Sequence, residues 1–256
     1  MGAESFTIVA AVNDAKVLQQ NLFLSPGIKH DCMQLIIKRN YRAASLAYNE
    51  AIEEADNEII IFVHQDVYLP EPWFSGLKKS LSYLENEKIN WGVLGCYGSS
   101  HEGVRGIGRV YTNGMGFHGD EIDKPEPIQT LDEIVLVIRK SSGLRFDLAL
   151  PHFHMYGVDI CMSAKERGMM SYAIPAFCVH NTNQLVNLPK EFYNCYRHVK
   201  ERWRKYLPIY TSCITISRFD GEFHMRRIRE AYNRLLRKSS MPAHRVEDPR
   251  SLLKVE

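Results

Sequence analysis

The sequence predicts an α/β fold: a mostly parallel, twisted sheet with helices on both faces, followed by a basic helical C-terminal extension. Three observations predict it. Short apolar runs alternate with helix-length segments through the first part of the chain. The runs are continuous rather than alternating, as in strands buried on both faces; Ile59, Ile60, Ile61, Phe62 and Val63 follow one another directly. The composition is that of an ordinary globular protein, 256 residues with 45% hydrophobic and 24% charged side chains.

Each element has its own signal. Residues 6–12 are apolar and read as the first strand. Residues 14–22 read as a helix closed by Ser25-Pro26-Gly27, and residues 33–38 as a second strand. Residues 43–55 are helical, with Leu46, Ala47, Ile52 and Ala55 on one face. Residues 58–63 form the third strand. Residues 70–84 form a helix, with Pro70 and Pro72 at its start, where proline is tolerated. Residues 91–97 form a fourth strand. The pattern then changes: seven glycines between 98 and 119, followed by Pro125 and Pro127, predict a long irregular loop or a small twisted hairpin region. Residues 134–139 are a strand, residues 155–167 a helix ended by Gly168, and residues 171–179 a strand interrupted by Pro175. From Lys190 the chain reads as helical, basic and aromatic. From about Ser239 it is polar and expected to be loose.

Composition also excludes classes. A formal net charge of +2 gives no electrostatic argument for nucleic acid. The start, MGAESFTIVAAV, lacks the basic n-region of a signal peptide, and no run reaches the roughly 18 apolar residues of a membrane span. Six scattered cysteines without a Cys-x-x-Cys pair suit reduced core thiols. These features together place the protein in the cytoplasm. Residues 197–238 hold twelve Lys or Arg against four acids, net +8. That run is either a solvated face or a peripheral docking surface for an anionic membrane or acidic glycan, with Trp203, Tyr206 and Phe223 as apolar contacts. Gly114-Met115-Gly116-Phe117-His118-Gly119 matches G-x-G-x-x-G, but no helix start follows it, so it is not a dinucleotide fingerprint.

The richest chemistry stands at the end of the third strand, in His64-Gln65-Asp66. Ligands of open α/β sheets sit just beyond the carboxyl ends of the strands. A carboxylate leaving a fully apolar strand there is aimed at a ligand, or is simply exposed by the turn. Asn13-Asp14 ends the first strand. The segment from Arg39 to Asn49 bridges the second strand and the next helix, and Tyr156-Gly157-Val158-Asp159 opens a later helix.

In these segments the chain resembles family 2 glycosyltransferases of the GT-A fold. More narrowly, it is similar to a bacterial glycosyltransferase-like subgroup related to a streptomycin-biosynthesis protein. The matching motifs are His64-Gln65-Asp66, Leu131-Asp132-Glu133, Arg145-Phe146-Asp147 and His154-Met155-Tyr156-Gly157-Val158-Asp159, and the likeness spans roughly residues 6 to 208. The resemblance implies a GT-A domain over residues 1–188, with a donor-binding half to about residue 97 and an acceptor half after it, and an extension over 189–256.

The resemblance also implies roles. The reaction is transfer of a sugar from a nucleoside diphosphate (UDP, GDP or dTDP type) to a hydroxyl, with inversion. The acceptor is a glycan, a lipid-linked or a small molecule, in bacterial polysaccharide or secondary-metabolite biosynthesis. A departing diphosphate needs neutralisation, which a divalent cation (Mn or Mg) supplies. Asp66 is the ligand implied, with His180 as a second; His64 stands where the family's Asp-x-Asp has its first acid. Asp159 matches the catalytic base, its helix N-terminus helping to keep it ionised; otherwise it only complements the dipole. Asn13 and Asp14 fall beside the base of the nucleotide, and Arg39, Arg42 and Asn49 beside base or phosphate. Arg39 otherwise reads as a solvated charge and Asn49 as packing. Asp132 lines the cleft or is a turn residue, and His180 is a ligand or a strand-end residue. Trp73 is near enough to stack on a sugar but suits the core better.

Two rival classes remain. A metallohydrolase would assemble His64, Asp66, His118, Asp120, His152, His154 and His180 around zinc or iron. A degenerate sugar-nucleotide-binding module would carry the same fold without transfer.

Overall fold

The computed structural model describes residues 5–29, 33–183, 187–236 and 243–254. In chain order, β1 (Phe6–Val12), α1 (Ala15–Gln20), β2 (Met33–Arg39), α2 (Ala44–Glu54) and β3 (Ile59–Val63) build the first half of the main sheet. A short β4 (Val67–Tyr68), α3 (Pro72–Asn86) and β5 (Trp91–Gly95) follow. The glycine-rich region takes the hairpin alternative rather than the irregular loop, as short strands paired antiparallel two by two: β6 (Tyr97–Ser99) with β7 (Arg105–Gly108), and β8 (Val110–Thr112) with β9 (Gly116–His118). Then come β10 (Glu126–Ile128), β11 (Thr130–Leu131), β12 (Val135–Arg139), α4 (Tyr156–Glu166), β13 (Met170–Ala173) and β14 (Cys178–His180). The last elements are α5 (Lys190–Arg202), β15 (Ile209–Tyr210), β16 (Thr215–Ile216) and α6 (Gly221–Leu235).

The main sheet has seven strands in the order β10-β13-β5-β12-β3-β1-β2. β1 pairs in parallel with β2 and β3, and β13 with β5. β12 is inserted antiparallel between β3 and β5, and β10 is antiparallel at the edge. The sheet is therefore mostly parallel and covered on both faces, the GT-A arrangement that the resemblance implies.

Why the strands read as continuous apolar runs is visible in their neighbours. Ile60 and Phe62 of β3 face one core with α2 and α4, while Ile61 and Val63 face the other with α3. A strand buried on both sides has no polar face to alternate with. On the α2 side, Ala47, Tyr48, Ala51 and Ile52 pack down, and α3 buries Trp73, Leu77 and Leu84 opposite. Trp73 is a core residue at 1% exposure.

The turns of the glycine-rich region demand glycine in two places. Gly108 has φ +81°, and a Cβ there would meet Cys96 O at 2.2 Å; Gly119, at φ +76°, would meet Gly108 O at 2.1 Å. Two backbones approach where no side chain fits.

The helical extension shares the core of the preceding residues. Phe192, Tyr193, Tyr196 and Val199 of α5, with Trp203, Ile209 and Ile216, join the α2–α4 cluster. A division at residue 188 therefore does not separate two cores. The expected loose tail begins at Ser239, which lies outside the described residues. The described residues 243–254 are tied back to the rest of the chain: Asn113 Nδ2 donates to His244 O at 2.6 Å, and Asn181 exchanges hydrogen bonds with Val246 N and O at 3.0 and 2.8 Å. Among the described residues no helix is long and apolar enough to cross a membrane. Five cysteines are free thiols, four of them buried; Cys32 lies outside the described residues.

Candidate functional site

The carboxyl ends of β1 and β3 open into a cavity of about 410 Å³. Asn13 follows β1, Asn40, Tyr41 and Arg42 lead into α2, and His64, Gln65 and Asp66 follow β3. The far wall is His152, Phe153 and His154 from the segment before α4, with Glu191 from the first turn of α5.

Gln65 ties the two strand ends together. Its Oε1 accepts from the backbone N–H of Asn13 and of Asp14, both at 3.1 Å, and its Nε2 donates to Asn13 Oδ1 at 2.6 Å. Backbone strain gathers around the same opening. Asn40, His152 and Met155 are three of the five non-glycine residues with positive φ among those described. Such conformations persist where surrounding contacts over-determine them. Here Ala44 N donates to His152 O at 2.9 Å, holding the far wall against α2.

His64, Asp66 and His180 bring one ligand atom each within 4.8 Å of one another. Asp66 is 6% exposed, its Oδ1 3.4 Å from His180 Nε2 and its Oδ2 accepting from Arg245 Nη2 at 2.9 Å. Burial alone would raise its pKa; His180, His64 and Arg245 outweigh burial and hold it well below the usual carboxylate range. Burial pushes His64 down to about 4, against the pull of Asp66, so this imidazole is neutral. Burial also opposes charge on His180, but Asp66 beside it wins and raises its pKa.

Tyr156 completes the cluster. Its hydroxyl lies 2.6 Å from His64 Nε2 and donates to Glu133 O at 3.2 Å. The roles of hydroxyl and imidazole in that short bond follow the tautomer: with Nε2 protonated, the ring's lone pair is on Nδ1, the form that a metal-ligating histidine oriented by its second nitrogen requires. Two imidazoles and a carboxylate suit a first-row transition divalent ion better than magnesium, which prefers an all-oxygen shell.

Of the residues the sequence marked, Asn13, Arg42, His64 and Asp66 line the cavity, and His180 joins the cation cluster behind it. The others are placed elsewhere. Asp14 caps α1, its Oδ1 accepting from Lys16 N at 2.9 Å and Val17 N at 3.3 Å. Asn49 uses both ends of its amide on the Phe146 backbone, at 2.8 and 2.9 Å, which is the packing alternative. Arg39 is exposed at the end of the edge strand β2 and is not among the residues lining the cavity, although its neighbour Asn40 is. Asp132 accepts from Ser212 Oγ at 2.7 Å and Ile134 N at 3.3 Å, outside the lining although its charge is felt at both His64 and His180.

Asp159, the base that the resemblance implies, is enclosed. It is 0% exposed and does not reach the cavity. Arg202 Nη1 donates to both its oxygens at 3.0 Å and Trp203 Nε1 donates to Oδ1 at 2.7 Å. Burial raises its pKa, with Arg202 and Trp203 pulling the other way. A carboxylate enclosed in this way is held by the chain's own donors rather than presented to the cavity. His118 and Asp120 likewise stand outside the cation cluster.

Sequence reasoning missed Tyr41, Phe153, Glu191 and Arg245 as site residues. His152 was noted only for a hydrolase, and His154 for that and as the start of a family motif, without a role of its own. Their histidine spacing was a local signal; Glu191 and Arg245 arrive from distant elements and leave none.

The profile of a glycosyltransferase-like family matches residues 8–202. A curated relative, "ATP synthase subunits region ORF 6" of Fuscovulum blasticum, is 23% identical over 165 residues, covering 63% of this chain and 66% of its own. Among solved structures, S. aureus TarS 1-349 is similar at 13% identity and a TM-score of 0.44, over 77% of this chain and 64% of its own. The mannosyltransferase PcManGT from Pyrobaculum calidifontis, in complex with GDP-Man and Mn2+, gives 12% and 0.46, over 78% and 63%. The chain thus spans just under two thirds of these relatives.

Proposed function

The chain belongs to the glycosyltransferase-like family, and from that premise we propose that it moves a sugar from a nucleoside diphosphate to an acceptor hydroxyl, with inversion. The observation that carries this reading is the His64, Asp66 and His180 cluster beside a cavity at the carboxyl ends of the parallel strands. A divalent cation held by the cluster would supply charge neutralisation for the leaving diphosphate.

The rest falls to the chain's own side chains. Asn13, Tyr41 and Arg42 offer hydrogen bonds, a ring face and a cation to the nucleotide. Gln65 holds the two strand ends at fixed separation. The base that takes the acceptor proton is assigned to His154. Burial lowers its pKa below the ordinary histidine value, so the ring is neutral and can accept a proton at neutral pH; Glu191 pulls weakly the other way. The acceptor, whether glycan, lipid-linked or small molecule, enters beside His152 and His154. Cytoplasmic polysaccharide or secondary-metabolite assembly with peripheral contact to an anionic membrane belongs to the same proposal.

The donor set also fits a transition-metal hydrolase, and one experiment separates the two. UDP, GDP and dTDP are titrated calorimetrically, with and without manganese, into wild type and Asp66→Ala. The expected result is manganese-dependent binding of one nucleotide, lost in Asp66→Ala. Tight metal binding that no nucleotide influences would favour the hydrolase and end the transferase reading.

A further inference from the structure

Half of the large apolar side chains exposed among the described residues lie between Phe219 and Leu236. They are not scattered. α6 packs inward through Phe223, Arg226 and Glu230: Phe223 meets the rings of Tyr193 and Tyr196, Arg226 Nη1 donates to Cys213 O at 2.6 Å, and Tyr193 Oη donates to Glu230 Oε2 at 2.9 Å. At 3.6 residues per turn, Met225, Ile228, Tyr232 and Leu235 fall on the opposite side of the helix. They are 68, 64, 56 and 80% exposed. A helix turned outward would ordinarily show its polar face to water; this one shows an apolar stripe.

The stripe has basic margins. Arg229 lies along one edge and Arg227 along the other, both exposed. Arg227 stacks over Tyr193 at 4.8 Å, and with Lys190 and Arg197 lines a shallow cavity of about 390 Å³. The acids of α6 do not offset this charge, because Glu222 is bound to Arg105 and Glu230 is buried against Tyr193 and Arg226.

We propose that α6 is an interfacial helix, which seats the Met225, Ile228, Tyr232 and Leu235 stripe in the headgroup–acyl boundary of an anionic bilayer. An apolar ridge between arginines matches such a surface in both hydrophobicity and charge. A second copy of the chain does not match it, since pairing two such helices would set arginine margins against each other. The described part of the C-terminal segment does not cover the stripe either; it is bound at Asn113 and Asn181, with Leu252 packed against Tyr68. The contact set also differs from the aromatic residues the sequence suggested. Trp203 is 2% exposed, and Phe223 is turned inward. Much of the basic run is likewise consumed internally, Lys200 by Asp220, Lys205 by Glu166 and Arg202 by Asp159.

The inference deepens the membrane part of the proposed function and is independent of the transfer chemistry. α5 connects the two regions: Glu191 of its first turn lines the cavity, and Tyr193 touches α6.

The test is flotation of the full chain, without nucleotide, with vesicles of phosphatidylcholine alone or mixed in equal parts with phosphatidylglycerol. Wild type should float with the anionic vesicles. The double variant Ile228→Ser with Leu235→Ser should bind roughly tenfold more weakly or worse, with an unchanged melting curve because both side chains are exposed. Arg227→Glu with Arg229→Glu should lose anionic selectivity. In Tyr232→Trp the new indole should shift to the blue on binding, against three native tryptophans that are all buried. Absence of wild-type binding at low salt, binding indifferent to the serine variant, or sedimentation showing a dimer that the serine variant dissociates would overturn the proposal. Since no nucleotide is present, each of these results leaves the transferase reading standing.

Discussion

Asp159→Asn separates a buried structural carboxylate from a catalytic one. Wild-type Asp159 has no exposure and accepts from Arg202 and Trp203 at 3.0 and 2.7 Å. Asparagine can still accept from Trp203 with its one oxygen, but it must set its amide N–H donors against Arg202. Breaking a fully buried ion pair from one side costs about 3–5 kcal/mol. Here the cost is smaller, because the Arg202 side chain is 32% exposed and keeps Asp147 at 2.7 Å. A loss of about 2–3 kcal/mol remains, set by the charged hydrogen bonds removed. In a protein of this size that lowers Tm by roughly 4–12 °C. Thermal unfolding of wild type and variant measures it, alongside transfer activity assayed well below both transitions. The expected variant is less stable but retains substantial transfer. An unchanged Tm with transfer abolished would refute the structural argument and return Asp159 to the role of base.

Two further outcomes follow from the cavity. If His154 is the base, kcat/KM falls as pH drops through its lowered pKa, below the ordinary 6.5, because the protonated ring cannot accept a proton; His154→Asn should remove that limb while leaving nucleotide binding unchanged, and a limb that survives the substitution would exclude the assignment. Arg245 occupies Asp66 Oδ2 at 2.9 Å, so Arg245→Ala should raise manganese affinity without nucleotide by about three- to tenfold; equal or weaker binding by calorimetry would show that the guanidinium supports the site rather than competes for it.

What the sequence made legible, and what it did not, follows distance along the chain. β1, β3 and His64-Gln65-Asp66 announce themselves because a buried parallel strand and its terminal ligands are contiguous. The antiparallel insertion of β12 between β3 and β5 has no such local mark, since an apolar run does not state its direction. Asn49 fails as a donor contact for a related reason. Its helix is correctly placed, but the partner that consumes its amide, Phe146, is 97 residues away. Asp159 sits at a helix N-terminus as expected, while Arg202 and Trp203, which decide its chemistry, come 43 and 44 residues later. Arg245 reaches Asp66 from 179 residues away.

α6 shows the same limit in its sharpest form. Its 3.6-residue period divides the helix into two apolar-bearing faces, one through Phe223 and one through Met225, Ile228, Tyr232 and Leu235. Periodicity alone does not say which face is buried. The choice is made by Tyr193, Tyr196 and Cys213, which accept Phe223 and Arg226 and so turn the other stripe to the outside. A reading from the aromatic residues alone assigns the surface to Trp203, Tyr206 and Phe223, of which Trp203 is buried and Phe223 is turned onto the rings of Tyr193 and Tyr196. The side chains left at the surface are aliphatic and flanked by arginine, and that combination carries the membrane argument.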